Sequence, residues 1–97
     1  MDSTEIIRIV RLTFSESTIE AFEELYLKHA EAISSQPGCF GVELVVDVND
    51  SFVRATVSRW DSVESLNAYR KSELFGEVWP ATKALLVGKP EVWSYKK

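Results

Sequence analysis

Residues 6–14, I-I-R-I-V-R-L-T-F, are rich in β-branched and aromatic types and predict a strand. Ile7, Ile9, Arg11 and Thr13 fall on one face of it, and Arg8, Val10, Leu12 and Phe14 on the other. Both faces carry apolar groups, so both need cover. The period then lengthens. Ile19, Phe22, Leu25, Tyr26, His29, Ala30 and Ile33 form one stripe at helical spacing, and Glu20, Glu23, Glu24, Lys28 and Glu31 lie outside it. Ser17-Thr18-Ile19-Glu20 fits a capping box, and the helix it opens runs to about Ser35, before Pro37-Gly38. Residues 39–48 and 51–60 read as two further strands around an Asn49-Asp50 turn, a β-hairpin. On the second of these, Val53, Ala55 and Val57 make an apolar face, and Arg54, Thr56 and Ser58 a polar one.

Asp61-Ser62-Val63-Glu64 has the form of another helix start. Val63, Leu66 and Tyr69 follow at helical spacing. The helix resets near Ser72, and a second helical stretch runs toward Leu86 with Leu74, Phe75, Val78, Trp79 and Leu85 on its apolar side. Pro80 should bend it or open a last helical piece. Gly88 and Pro90 end it, and residues 91–95 alternate as a closing strand. The order β-α-β-β-α-β is the ferredoxin-like motif: an α+β fold with a four-stranded antiparallel sheet and helices on one face. Helices on one side leave the sheet's other apolar face bare, which soluble monomers avoid. A second copy packed sheet to sheet would cover it, so a homodimer is expected.

The chain has 97 residues, the size of one small domain, taken as 1–97. Its formal net charge is -4, which argues against nucleic acid as a partner. No apolar run approaches the roughly 20 residues of a membrane span, so no membrane partner is expected. The acidic start M-D-S-T-E lacks the pattern of a signal peptide, and Cys39 is the only cysteine. The expected location is cytoplasmic.

Several segments carry a resemblance: R-L-T-F at 11–14, P-G-C-F-G-V-E-L at 37–44, W-D-S-V-E-S at 60–65, A-Y-R-K-S-E-L-F at 68–75 and K-P-E-V-W-S at 89–94. In their order and spacing the chain resembles the antibiotic biosynthesis monooxygenase (ABM) family of dimeric α+β barrels. The resemblance implies a sheet-to-sheet dimer with a pocket between sheet and helices in each subunit. It also implies cofactor-independent monooxygenation of a quinol-like aromatic, with no cofactor and no metal. Haem-degrading members use an Asn on the first strand, a Trp in the second helix and a downstream His on iron. Those positions hold Val10, Tyr69 and Trp79 here, and Leu74 stands where other relatives place a histidine. The residues for iron ligation by that route are therefore absent.

The candidate chemistry is correspondingly sparse. His29, the only histidine, sits in the apolar stripe and is the candidate catalytic base, or else a core histidine satisfied by a backbone group. Trp60, Tyr69, Phe75 and Trp79 are candidate walls of a flat pocket, or else plain core. Arg8, Arg54, Thr56 and Ser58 are same-parity strand positions able to line a cavity and hold a carboxylate or phenolate. Equally, the arginines can pair with Glu43 or Asp47 across strands, or lie at a dimer seam. Cys39 has no evident base and reads as a small buried residue. Glu73 reads as a helix-start carboxylate as well as it does an acid or base. The sequence shows no metal-ligand cluster, glycine-rich phosphate loop or nucleophile triad. A monooxygenase, a small-molecule-binding dimer without turnover, and a structural dimer with a filled interior remain as alternatives.

Overall fold

The computed structural model describes residues 4–97. Met1, Asp2 and Ser3, the opening of the acidic start, lie outside the described residues. The elements are β1 (Ile6–Thr13), α1 (Ile19–Ser34), β2 (Cys39–Val46), β3 (Val53–Trp60), α2 (Val63–Arg70), α3 (Glu73–Lys83) and β4 (Glu91–Lys96). The strands form one four-stranded sheet in the order β2-β3-β1-β4, with every neighbouring pair antiparallel. This is the ferredoxin-like arrangement the hydropathy pattern predicts. The second helical region is split in two at Ser72.

Local chemistry explains the boundaries. The Ser62 hydroxyl accepts the Ser65 N–H at 3.1 Å and starts α2, and the Ser72 hydroxyl accepts the Phe75 N–H at 3.2 Å and starts α3. The α2 cap is therefore Ser62, and Asp61 supports it from one residue back by accepting the Ser62 hydroxyl at 2.9 Å. Those hydroxyls hold the Asp61 carboxyl below its usual range, the Ser65 contact being the larger cause and Ser62 the smaller. The capping box predicted at α1 does not form. Thr18 is the N-cap, but its hydroxyl turns back and accepts the Ser15 N–H at 3.0 Å, so no side chain caps the helix. Pro80 stays inside α3, which ends at Lys83 rather than near Leu86.

The β2–β3 connection is longer than a two-residue turn. The strands end at Val46 and resume at Val53, and the Asp47 carboxylate accepts the N–H groups of Asn49 and Asp50 at 2.8 and 3.1 Å. Val46 consequently pairs with Arg54, and the ladder shifts again at an irregularity between Cys39 and Gly41. Gly38, just before β2, has φ +80°, and a Cβ there would strike the side chains of Ser65 and Asp61. Only glycine fits this approach of β2 to the start of α2.

Two apolar clusters lie between sheet and helices. Leu12, Phe14, Ile19 and Phe22 form one, under α1 and the tail of α3. Ile6, Trp60 and Leu66 form the other, under α2, with Trp60 wholly buried at 0 % exposure. Among the described residues, no helix lies on the opposite sheet face. Trp93, Val45 and Tyr95 stand 39, 41 and 54 % exposed there, beside Ile7, Ile9 and Val57. No helix among the described residues is long and apolar enough to cross a membrane.

Candidate functional site

A cavity of about 100 Å³ opens between the two clusters, walled by the sheet, α1, α2 and α3. One ordered water needs roughly 10–15 Å³ by this measure, so there is room for a small ring system. The lining includes His29, Arg8, Thr56, Ser58, Trp60, Tyr69, Phe75 and Trp79. The topology brings these together because β1 and β3 are adjacent and Arg8 pairs with Ser58, and Val10 with Thr56. Arg54, Thr56 and Ser58 of β3 thus face the helices together with Trp60, and Val53, Ala55 and Val57 lie on the opposite face.

The aromatic wall is continuous. Trp60 stacks on Tyr69 with centroids 5.2 Å apart and planes at 23°, Tyr69 meets Phe75 edge-on at 5.3 Å and 81°, and Phe75 stacks on Trp79 at 6.0 Å and 19°. The Trp60 indole N–H donates to the Ser58 hydroxyl at 3.0 Å. Burial pushes the Tyr69 hydroxyl up to about 12, against a smaller lowering by the Arg8 charge. Tyr69 is therefore a neutral hydrogen-bond donor at neutral pH. Burial lowers the Arg8 guanidinium from its usual value, the like charge of Arg70 lowers it further, and Tyr69 opposes both.

His29 is buried, and its Nδ1 lies 3.0 Å from the Leu25 carbonyl. A carbonyl only accepts, so Nδ1 carries a proton, and in the neutral ring Nε2 then holds the lone pair. The Glu77 carboxylate of α3 stands 3.8 Å from Nε2. No residue of α1 foretells this contact, because packing of α3 on α1 creates it. Thr82 was also missed. It extends the Phe75–Val78–Trp79 stripe by one helical step, lines the cavity, and donates its hydroxyl proton to the Val78 carbonyl at 2.8 Å.

Other candidates lie elsewhere. Arg54 donates to Glu23 of α1 at 3.0 Å and to the Ser51 carbonyl, and does not line the cavity. Asp47 pairs with Arg11 at 2.8 Å. Cys39 packs beside the Trp60 cluster, where burial pushes its thiol up and so disfavours the thiolate. Glu73 occupies the first turn of α3, outside the cavity. Among the described residues, no three His, Cys, Asp or Glu side chains gather as a metal site.

A four-stranded antiparallel sheet with helices on one face and an aromatic-walled cavity between them defines a ferredoxin-like α+β domain. More narrowly, residues 5–79 match the family described as Antibiotic biosynthesis monooxygenase, and the chain belongs to that family. Among solved structures it is similar to a conserved protein of Methanosarcina mazei Go1, with TM-score 0.93 and 18% identity over 98% of this chain and 94% of that one. It is similar to Rv0793 of Mycobacterium tuberculosis, with TM-score 0.88 and 16% identity over 96% and 94%. It is also similar to a mutant of SnoaB, a cofactor-independent oxygenase of Streptomyces nogalater, with TM-score 0.85 and 17% identity over 97% and 93%. Identities this low establish the shared fold alone. No curated protein matches the sequence significantly.

Proposed function

We propose that this chain is a cofactor-independent monooxygenase for a small aromatic or quinol-like molecule, working as a homodimer. The observation that carries the reading is the meeting of the His29 imidazole and an unbroken wall of packed rings at one cavity. SnoaB, of the same fold, is a cofactor-independent oxygenase, which supports the reaction class.

The chemistry asked of the protein is modest. His29 Nε2 removes a proton from the ring system and leaves an electron-rich anion. The resulting imidazolium faces the Glu77 carboxylate. The Trp60, Tyr69, Phe75 and Trp79 rings hold the anion flat and exclude water, and the Tyr69 hydroxyl and Arg8 stabilise its negative oxygen. Oxygen then reacts with the anion. At an anthrone-type CH₂, one atom of O₂ becomes the new carbonyl oxygen, and the other leaves as water with the two hydrogens. The substrate supplies all the electrons. Pairing of the bare sheet faces would complete the assembly.

Oxygen uptake with anthrone and hydroquinone substrates tests this reading. Uptake above buffer that falls about 10²–10⁴-fold in His29→Ala is the expected result. Uptake no faster than buffer overturns it. One observation favours a binding module without turnover: His29 Nδ1 is satisfied by its own helix, as in a purely structural histidine. Ligand binding without oxygen uptake, unchanged in His29→Ala, would select that reading.

A further inference from the structure

The cavity lining carries one permanent cation and no carboxylate. That cation is Arg8, on β1, and among the described residues no acidic side chain pairs with it. The other arginines that find carboxylate partners do so elsewhere, Arg54 with Glu23, Arg11 with Asp47 and Glu91, Arg59 with Glu5, and the carboxylate nearest the cavity, Glu77, faces His29 rather than Arg8. A partly buried guanidinium without a counter-ion is unfavourable, because it gives up water and gains nothing in return. Arg70 adds a second positive charge nearby. Both features suit a site whose counter-ion arrives with the ligand.

The neutral groups around Arg8 point the same way. Ser58, its register partner on β3, accepts from Trp60 and keeps its own proton to give. The hydroxyls of Thr56 and Tyr69 line the same cavity and have no hydrogen-bond partner among the described residues. Each of these hydroxyls can donate to an anionic oxygen, but each can also accept, so the preference for charge rests on Arg8. The cavity walls are stacked rings. The protein's net charge of -4 does not cancel this preference. Exposed charges beyond about 8 Å are screened at physiological salt, and Arg8 is the charge that belongs to the cavity lining itself.

Resting on the reading of the cavity as an aromatic small-molecule site, we propose that its ligand is an aromatic carboxylate, with Arg8 as the residue that binds the carboxylate. The ring lies against Tyr69 and Phe75, and the planar guanidinium fork matches the two oxygens. Ser58, Thr56 and Tyr69 supply neutral donors around it.

Benzoate and benzamide test this, being nearly equal in shape and different in charge at pH 7. Their affinities are measured by NMR titration of the full chain. Benzoate is expected to bind about tenfold or more tightly than benzamide, the range of a hydrogen bond to a charged group. In Arg8→Gln the two affinities should come within about twofold, and Arg8→Lys should keep part of the preference because it keeps the charge and loses the fork. Equal binding of both probes to the wild type overturns the carboxylate inference and leaves the aromatic site standing. Binding of neither overturns both. A preference that persists in Arg8→Gln removes Arg8 from the role. If Arg8→Gln does not fold, the wild-type ratio still decides.

Discussion

The two faces of the sheet are built on opposite terms. The helix-covered face has a polar floor: Arg8, Thr56 and Ser58 lie under the helices among stacked rings. The uncovered face carries Ile7, Ile9, Val57, Trp93 and Tyr95, which point away from the helices. Polar groups beside a cavity suit a ligand, and bare apolar groups suit a second copy, the two occupants proposed above.

Substitutions on one strand separate the faces. Trp60→Ala removes the wholly buried ring of the α2 cluster together with its stacking on Tyr69. It should cost about 3–5 kcal/mol in denaturant unfolding, the largest effect expected here. Val57→Arg, three residues earlier on β3, points outward. It should change the unfolding of the single chain by less than about 1 kcal/mol, because the new charge stays in water. It should weaken self-association at least about 100-fold in sedimentation equilibrium, since an unpaired charge would enter the interface from both copies. Normal assembly of Val57→Arg would mean that the bare face pairs with nothing.

A pH prediction sharpens the covered face. Burial pushes Tyr69 up to about 12, while an unfolded tyrosine titrates near 10. Between these values the unfolded chain has lost a proton that the folded chain still holds. Stability from Tyr69 is therefore complete below pH 10 and declines as pH rises toward 12. Allowing for solvent at the partly open site, the loss should total about 1–2 kcal/mol. Other groups titrate in the same range, so the informative quantity is the difference from Tyr69→Phe. The variant should lose less stability than the wild type between pH 9 and pH 11.5 in urea unfolding. Parallel losses would place the Tyr69 hydroxyl in water.

Much of this contrast was legible in the sequence. The alternation along residues 6–14 and 51–60 separates the two sets of side chains, and the helical stripe of Ile19–Ile33 gives α1 its buried side. The need for cover on both faces followed from the same pattern. What was not legible depends on geometry that no single segment carries. Glu77 reaches His29 only because α3 packs on α1. The capping box at Ser17–Glu20 has the right residue types, but the Thr18 hydroxyl finds Ser15 first. The Asn49-Asp50 dipeptide has the composition of a tight turn, but the Asp47 carboxylate gathers the amides of both into a wider loop. In both cases a nearby side-chain hydrogen bond outcompetes the local rule.

The smallest effect tests whether the polar floor is structural at all. Thr56 faces the cavity, and its hydroxyl has no hydrogen-bond partner among the described residues. Thr56→Val keeps the branched shape and removes only the oxygen, so β3 should pack as before. If the hydroxyl serves a ligand, the fold gains nothing from it, and unfolding should change by no more than about 0.5 kcal/mol, with a slight stabilisation expected. Benzoate affinity should fall by about two- to fivefold in the same variant, the worth of one neutral hydrogen bond. A loss of stability above about 1 kcal/mol would show that the fold uses this hydroxyl. The polarity of the covered face would then belong to packing, and the contrast between the two faces would lose its functional meaning.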